Sequence, residues 1–167
     1  MLDGINGLAP IYTIIFSINI ILNNYDVLLP KLIIIMMIFY LYLNLKSKSF
    51  MGDGGSYLIG FLLSFLVIKY NLYGFLSTEK ILVLMALPVS ELIRVATSRI
   101  ISGKHPFKGD QNHIHHLLMR NLSFNKTLVI LILLVTLPCI IYNYTSMFIF
   151  SLVSFLLIYV FLIFKSK

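Results

Sequence analysis

The sequence is poor in charged residues and in cysteine, and each scarcity excludes a class of protein. Only 11% of the 167 residues are charged, whereas 59% are apolar and the mean hydropathy is +0.96. These values lie outside the range of soluble globular domains and indicate an integral membrane protein. The single cysteine, Cys139, excludes an internal disulfide and a metal site built from several thiolates. The sequence also contains no internal repeat, low-complexity linker or heptad pattern.

Six apolar runs predict an all-α, polytopic bundle of about six transmembrane helices, which forms one membrane domain over residues 1–167. A span needs about 20 apolar residues, so the chain has no room for an additional soluble domain. The first run is short, and the fourth carries Pro88, Glu91 and Arg94, so a short helix and a broken helix are expected there. The runs are Leu8–Leu22, Val27–Leu45, Tyr57–Leu76, Ile81–Ser98, Thr127–Tyr142 and Met147–Phe164.

The basic residues predict the orientation in the membrane, because Lys and Arg accumulate in short cytoplasmic loops. If the loop at residues 46–56 is cytoplasmic, six spans place residues 1–9, residues 94–126 and the C-terminal tail on the same side. We therefore expect a multi-pass plasma-membrane protein whose polar segments converge on the cytoplasmic face. No basic segment precedes the first apolar run, so no cleavable signal peptide is expected. Three of the thirteen basic residues remain on the opposite side: Lys31, Lys69 and Lys80.

The first polar segment is Asp3-Gly4-Ile5-Asn6-Gly7-Leu8-Ala9. Its glycines permit tight turns, and Asp3 and Asn6 offer oxygen atoms that can ligate metal or accept protons. The alternative is a helix cap, because Asp or Asn often stands immediately before an apolar helix. The segment alone favours the cap.

The second polar segment is Phe50-Met51-Gly52-Asp53-Gly54-Gly55-Ser56. Three glycines let backbone amides approach a ligand, and Asp53 supplies a hard anionic oxygen suited to Mg²⁺. A plain turn between helices, with Ser56 capping the third span, is the alternative. No Lys follows the glycines at the spacing of a Walker A motif, so that nucleotide-binding loop is excluded.

The third polar segment, residues 110–116, holds three of the four histidines. His113, His115 and His116 suit phosphate contact, acid–base chemistry or metal binding. Zinc is the rival ligand, but no carboxylate or cysteine stands at a familiar zinc spacing, and a solvated loop without function is the other alternative. Phosphate contact is the preferred role, and Arg99 is the strongest additional candidate. Five basic residues flank the segment: Arg94, Arg99, Lys104, Lys108 and Arg120.

Glu91 and Arg94 stand three residues apart and therefore share one face of the fourth predicted helix. An internal ion pair is the preferred explanation. Charged residues within a span also line water-filled cavities, so a position at the mouth of a site is the alternative.

Taken in order, the three segments resemble the polyprenyl-phosphate N-acetylhexosamine-1-phosphate transferase family, membrane enzymes that begin lipid-linked glycan synthesis. The first resembles the family's Asn-x-x-Asp-Gly-x-Asp-Gly-Leu-Ala loop, the second its Gly-Asp-x-Gly-Ser loop, and His-Ile-His-His its histidine loop. The run from Pro88 to Arg99 is similar to a Pro-x-x-Asp-x-x-Arg segment, with Glu91 as the acid. The resemblance spans roughly residues 1 to 122.

This resemblance implies transfer of a sugar-1-phosphate from a UDP-N-acetylhexosamine to a polyprenyl phosphate, with Mg²⁺ as cofactor and UMP as product. It implies that Asp53 ligates Mg²⁺, and that Asp3 and Asn6 belong to the catalytic loop that positions or deprotonates the lipid phosphate. The donor diphosphate would be held by four residues: His113, His115, His116 and Arg99. The form of the histidine loop is most similar to the N-acetylglucosamine-type branch.

The sequence departs from the family in two ways. Asn6 stands where many members have a second Asp. The sequence also contains no adjacent aspartate pair, whereas family members carry such a pair in their N-terminal membrane half. We therefore expect the chain to be the C-terminal half of a longer transferase, with Met1 an internal methionine. The expected partners besides the substrates are the bilayer and a separate N-terminal half or a second copy, and no nucleic acid. The alternatives are an inactive or partner-dependent family member and a small anion-binding membrane protein.

Overall fold

The computed structural model describes residues 4–22, 27–103, 105 and 112–166. All regular structure in these residues is helical, which confirms the predicted all-α class. Every apolar run forms helix, as low polarity and few glycines or prolines within the runs favour. The helices are α1 (Leu8–Ile21), α2 (Leu28–Leu45), α3 (Gly52–Leu72), α4 (Thr78–Leu84), α5 (Ala86–Ile101), α6 (Ile114–Met119), α7 (Phe124–Thr145) and α8 (Phe148–Ser166).

The chain divides into two compact units, one ending at Leu84 and the other beginning at Met85. In the first unit, α1 packs against α2 and α3. Its buried side chains Tyr12, Phe16 and Ile20 recur every four residues and so form one stripe along the helix. In the second unit, α7 packs against α5, α6 and α8, and α6 also contacts α8. Each unit therefore has its own helical core.

Four of the described helices are long and apolar enough to cross a membrane: α2, α3, α7 and α8. The pair α4 and α5 passes the same test only when taken together across Met85, which gives a fifth candidate span. The chain is thus a polytopic helical membrane protein. The six runs do not give six full spans, and the differences fall in the two runs expected to be short or broken. The 14 residues of α1 reach only about 21 Å, less than the hydrocarbon thickness of about 30 Å.

Two polar segments are more helical than their composition suggests. Helix α3 begins at Gly52, so the glycine-rich segment forms its first turn, and Met51 occupies the cap position. The alternative in which Ser56 caps this helix is therefore wrong. Gly52 has a φ of 62°, a conformation that glycine adopts without strain and that turns the chain into the helix. The histidine segment likewise contains a short helix, α6.

The buried side chain of Asn44 joins the start of α1 to the segment that follows α2. Its Oδ1 accepts the backbone N–H of Gly7 at 2.6 Å, and its Nδ2 donates to the carbonyl oxygen of Ser49 at 2.9 Å. Gly7 is the cap residue of α1, and no side chain caps it locally. The interpretation of Asn6 as a helix cap is therefore wrong, because an amide from α2 satisfies this helix end instead.

We predict that Asn44→Ala lowers the free energy of unfolding by about 1–3 kcal/mol, because it leaves buried backbone groups without partners. Thermal unfolding in detergent, followed by circular dichroism, measures the change. Ser47→Ala is the matched control, since it removes only an exposed hydrogen bond from Asn6 and should cost less than about 0.5 kcal/mol. Equal effects of the two substitutions would contradict the anchoring role of Asn44.

Candidate functional site

A buried carboxylate from α5 fixes the start of the histidine helix α6. Glu91 is fully buried, and its Oε2 accepts the backbone N–H of Ile114, the first residue of α6, at 2.9 Å. The cap residue of α6, His113, makes no side-chain capping bond of its own. A carboxylate at this position satisfies a donor that the helix leaves unpaired and complements the positive end of its dipole. The placement of α6 therefore depends on a residue more than twenty positions earlier.

The same carboxylate is the centre of a hydrogen-bonded ion pair. Arg94 donates from Nε to Oε1 at 2.9 Å and from its terminal nitrogen to Oε2 at 3.0 Å. The Tyr159 hydroxyl from α8 also donates to Oε1, and Arg94 donates to the carbonyl oxygen of Asn112. The predicted internal ion pair is confirmed. It extends further than expected, because it joins α5 and α8 to the backbone on both sides of His113.

The three imidazole rings form one cluster at α6. The rings of His113 and His115 are stacked, with centroids 5.7 Å apart, and those of His115 and His116 lie 4.2 Å apart at an angle. His113 Nδ1 also lies 3.4 Å from Glu91 Oε2. His113 and His116 are partly exposed, whereas His115 is buried. Two imidazoles therefore face accessible space and the third supports them from inside.

His115 is neutral at pH 7. Burial is the main cause of an imidazole pKa lowered to about 4, and repulsion from the neighbouring His116 and His113 contributes to the same shift. Its Nε2 is buried and has no hydrogen-bond partner among the described residues. A neutral imidazole offers one ring donor and one ring acceptor. No three His, Cys, Asp or Glu side chains within the described ranges are placed to hold a metal ion.

The remaining predicted residues lie elsewhere in the chain. Asn6 is half-buried, and its Nδ2 donates to Ser47 Oγ at 3.1 Å. Asp53 is exposed in the first turn of α3. Arg99 lies partly exposed on α5, and Asp3 falls outside the described residues. Asn6 and Asp53 belong to the unit that ends at Leu84, whereas the histidines and Arg99 belong to the other.

The surroundings of Asp53 leave room for a ligand. A Cβ added to Gly54 would meet no atom within 4 Å, so the backbone beside the carboxylate is open. Gly55 differs, because a Cβ there would come within 2.7 Å of the Met51 side chain. An accessible carboxylate beside an uncovered helix start suits a hydrated divalent cation, which typically takes one or two protein carboxylates and keeps several waters.

Sequence reasoning missed Tyr159 and Asn44. Tyr159 is one of ten tyrosines and stands in an apolar run, so no sequence signal distinguishes it from lipid-facing aromatic residues. Asn44 gave a usable signal, since it is a lone amide near the end of an apolar run, where an unpaired polar group is costly.

We predict that Tyr159→Phe and Glu91→Gln speed amide hydrogen exchange in α6. Hydrogen bonds to charged groups contribute about 1.5–3 kcal/mol, so loss of the tyrosine hydroxyl should raise exchange by roughly tenfold or more. Exchange measured by mass spectrometry on peptides covering residues 112–119 tests this. Tyr144→Phe is the control, because Tyr144 is 88% exposed on α7. Unchanged α6 exchange in both variants would show that the network does not hold this helix.

We also predict that stability falls below about pH 6.5 because of His115. Its folded pKa, about 4, lies below the ordinary value of 6.5, so the unfolded chain binds the proton first as the pH drops. One such group contributes at most about 1.4 kcal/mol per pH unit between these two values. The difference between the wild-type protein and His115→Gln, measured as thermal stability from pH 7 to 5, isolates this contribution. His105→Gln, an exposed position, should retain the full dependence.

Known proteins resemble the chain over part of its length. The sequence pattern of glycosyl transferase family 4 matches residues 1–71. The Haemophilus influenzae undecaprenyl-phosphate alpha-N-acetylglucosaminyl 1-phosphate transferase is 33% identical over 115 residues, which are 60% of this chain and 30% of the relative. The proteins of the same description from Salmonella typhi and Escherichia coli K12 are 36% and 35% identical over 88 residues, 48% of this chain and 24% of each relative.

The chain therefore spans less than a third of the length of these curated relatives, and no solved structure matches it. The matched relatives are sugar-phosphate transferases that act on a lipid phosphate, according to their descriptions. The predicted resemblance to these transferases is confirmed over part of the chain, and residues 1–71, which include the first two polar segments, are similar to glycosyl transferase family 4.

Proposed function

We propose that the chain contributes to an enzyme that transfers an N-acetylhexosamine-1-phosphate from a UDP-sugar to a polyprenyl phosphate and releases UMP. This reaction would be the first step of lipid-linked cell-envelope glycan synthesis. The observation that carries the proposal is the match of residues 1–71 to glycosyl transferase family 4, together with relatives described as undecaprenyl-phosphate alpha-N-acetylglucosaminyl 1-phosphate transferases. These relatives favour a transferase over a small anion-binding membrane protein.

Asp53 is the proposed ligand for Mg²⁺. Its exposed carboxylate and the open backbone at Gly54 fit a cation that prefers oxygen ligands and bridges protein to substrate phosphates. When bound, Mg²⁺ would neutralise charge on the phosphate groups. Asp3 and Asn6 would position the acceptor phosphate, and Asp3 would take its proton. Asn6 contributes an amide, which orients a group by hydrogen bonding but does not act as a base.

The histidine cluster is the proposed contact for the donor's diphosphate. His113 and His116 are partly exposed beside the buried, neutral His115. Imidazole N–H groups donate hydrogen bonds to phosphate oxygens, and Arg99 would add a fixed positive charge. The cluster is held by Glu91, whose charge is already paired with Arg94, so this carboxylate does not oppose the approach of an anion.

Membrane placement suits the two substrates. A polyprenyl phosphate presents its phosphate at the bilayer surface, and a UDP-sugar is a cytoplasmic solute, so we propose cytoplasmic polar loops in the plasma membrane. We propose that this chain works together with a preceding half, supplied by the same polypeptide, a separate subunit or a second copy.

A transfer assay tests the proposed function. Membranes containing the chain joined to the preceding segment of the Haemophilus influenzae relative would be incubated with radiolabelled UDP-N-acetylglucosamine, undecaprenyl phosphate and Mg²⁺. We expect labelled lipid and release of UMP. Membranes containing the relative's segment alone are the control. Correctly inserted protein that never forms lipid-linked product would overturn the proposal.

We predict that Asp53→Asn lowers turnover in this assay by about 100-fold or more, because loss of an anionic metal ligand removes several kcal/mol of charge stabilisation. Raising the Mg²⁺ concentration should recover part of the activity. Glu79→Gln is the matched control, since Glu79 is the acidic residue in the first turn of α4 as Asp53 is in α3. Equal turnover of Asp53→Asn and the unsubstituted protein would refute the metal assignment.

A further inference from the structure

The second unit carries an apolar groove that the proposed transfer reaction does not use. The groove has a cavity volume of about 190 Å³ and runs between α6, α7 and α8. We call it the α7–α8 groove. Its lining includes Leu118, Ile130, Phe161, Leu162 and Lys165. The walls are apolar, and one lysine stands among them.

A second, shallower channel joins the first. It is lined by Leu122, Asn125, Lys126, Val129 and Ile130, and its volume is about 330 Å³. Leu122 and Ile130 line both channels, so the two meet at these side chains. Two apolar channels therefore converge, and each has one lysine.

Both lysines lie where the helices reach the membrane surface. The 22 residues of α7 and 19 residues of α8 extend about 33 Å and 29 Å, close to the hydrocarbon thickness of about 30 Å. A tight turn at Ser146 and Met147 connects the two helices, so the start of α7 lies beside the end of α8. Lys126 and Lys165 consequently share one boundary between lipid and water.

Among the described residues near this boundary, every charged side chain except the buried Glu91 is basic. Residues 112–166 contain no Asp or Glu, and Glu91 of α5 is buried against Arg94. Lys126 makes no hydrogen bond or ion pair within the described part of the chain, and Lys165 Nζ lies 6.0 Å from the centre of the Phe161 ring. The cap residue of α7, Ser123, makes no side-chain capping bond, so the positive end of this helix dipole adds to the lysines.

We propose that the two channels bind one anionic glycerophospholipid of the surrounding bilayer. Its phosphate would lie between Lys126 and Lys165, and its two acyl chains would follow the two channels. Basic pockets between transmembrane helices suit anionic lipid headgroups. A neutral lipid would leave the lysines unpaired, and a single-chain lipid phosphate would fill one channel only. This proposal does not depend on the transferase activity.

The site has a structural consequence for the histidine cluster. Leu118 lines the α7–α8 groove from α6, and the buried His115 stands one helical turn earlier on that helix. A lipid chain packed on Leu118 would restrain α6 from the membrane side, while Glu91 restrains it at Ile114. Bilayer composition would thereby influence the order of the proposed phosphate-binding segment.

Native mass spectrometry of the purified chain in detergent tests the proposal, with dioleoyl phosphatidylglycerol, dioleoyl phosphatidylcholine and undecaprenyl phosphate as probes. We expect one phosphatidylglycerol to be retained in preference to phosphatidylcholine. Each lysine should contribute about fivefold, so the double variant Lys126→Gln with Lys165→Gln should lose roughly 30-fold in retention. Lys46→Gln with Lys48→Gln, exposed lysines after α2, is the charge-matched control.

A variant that keeps both lysines separates groove binding from simple charge attraction. Leu162→Trp fills the channel wall and should reduce retention of phosphatidylglycerol while leaving the net charge unchanged. Circular dichroism and thermal unfolding would confirm that each variant is folded. Equal retention of the two phospholipids, or no loss in either variant, would overturn the proposal. Displacement of phosphatidylglycerol by equimolar undecaprenyl phosphate would also overturn it, because the site would then belong to the single-chain lipid.

Discussion

The buried carboxylate of Glu91 is the constraint on which the second unit depends. A charge taken from water is costly unless every oxygen finds donors. Arg94, Tyr159 and the backbone of Ile114 supply those donors. They come from α5, α8 and α6, so the carboxylate is satisfied only when these three helices have one particular arrangement. Hydrophobic packing in lipid does not select that arrangement, because lipid and apolar side chains solvate a helix almost equally well.

In the first unit, a neutral side-chain amide fixes the arrangement of two helices as the Glu91 carboxylate does in the second. Asn44 carries the single side-chain amide in its apolar run, and its two bonds to Gly7 and Ser49 join the start of α1 to the end of α2. The hydrogen bond between Asn6 and Ser47 lies beside it. In each unit, therefore, a buried polar side chain from one helix accepts a backbone N–H at the start of another helix and so holds a polar segment in place.

The sequence was sufficient to predict most of the helices, but it was insufficient to predict where consecutive helices break or join. Apolar runs predict helices because a lipid environment forces backbone groups to pair within each segment, and α2, α7 and α8 match their runs to within three residues at each end. The break at Met85 could not be located, since Pro88 falls in the first turn of α5, where its missing N–H costs nothing.

The candidate site was predictable to a similar extent. The ion pair of Glu91 and Arg94 followed from helical spacing alone. The contribution of Tyr159 did not, because 68 residues separate it from Glu91 and nothing in an apolar run marks one tyrosine among many. The start of α3 at Gly52 was also unexpected, because glycine-rich segments more often form turns than helical first turns.

The ion pair of Glu91 with Arg94 also explains how a carboxylate can lie next to a proposed phosphate-binding site. A carboxylate 3.4 Å from His113 would repel phosphate if its charge were exposed. Arg94 occupies both of its oxygens, and the carboxylate is fully buried, so the pair presents little net charge to the surface. Glu91 is the one acid among the described residues of the second unit, so no unpaired carboxylate in that part of the chain opposes an anion at the histidine cluster. The buried acid thus orients the segment without opposing its proposed ligand.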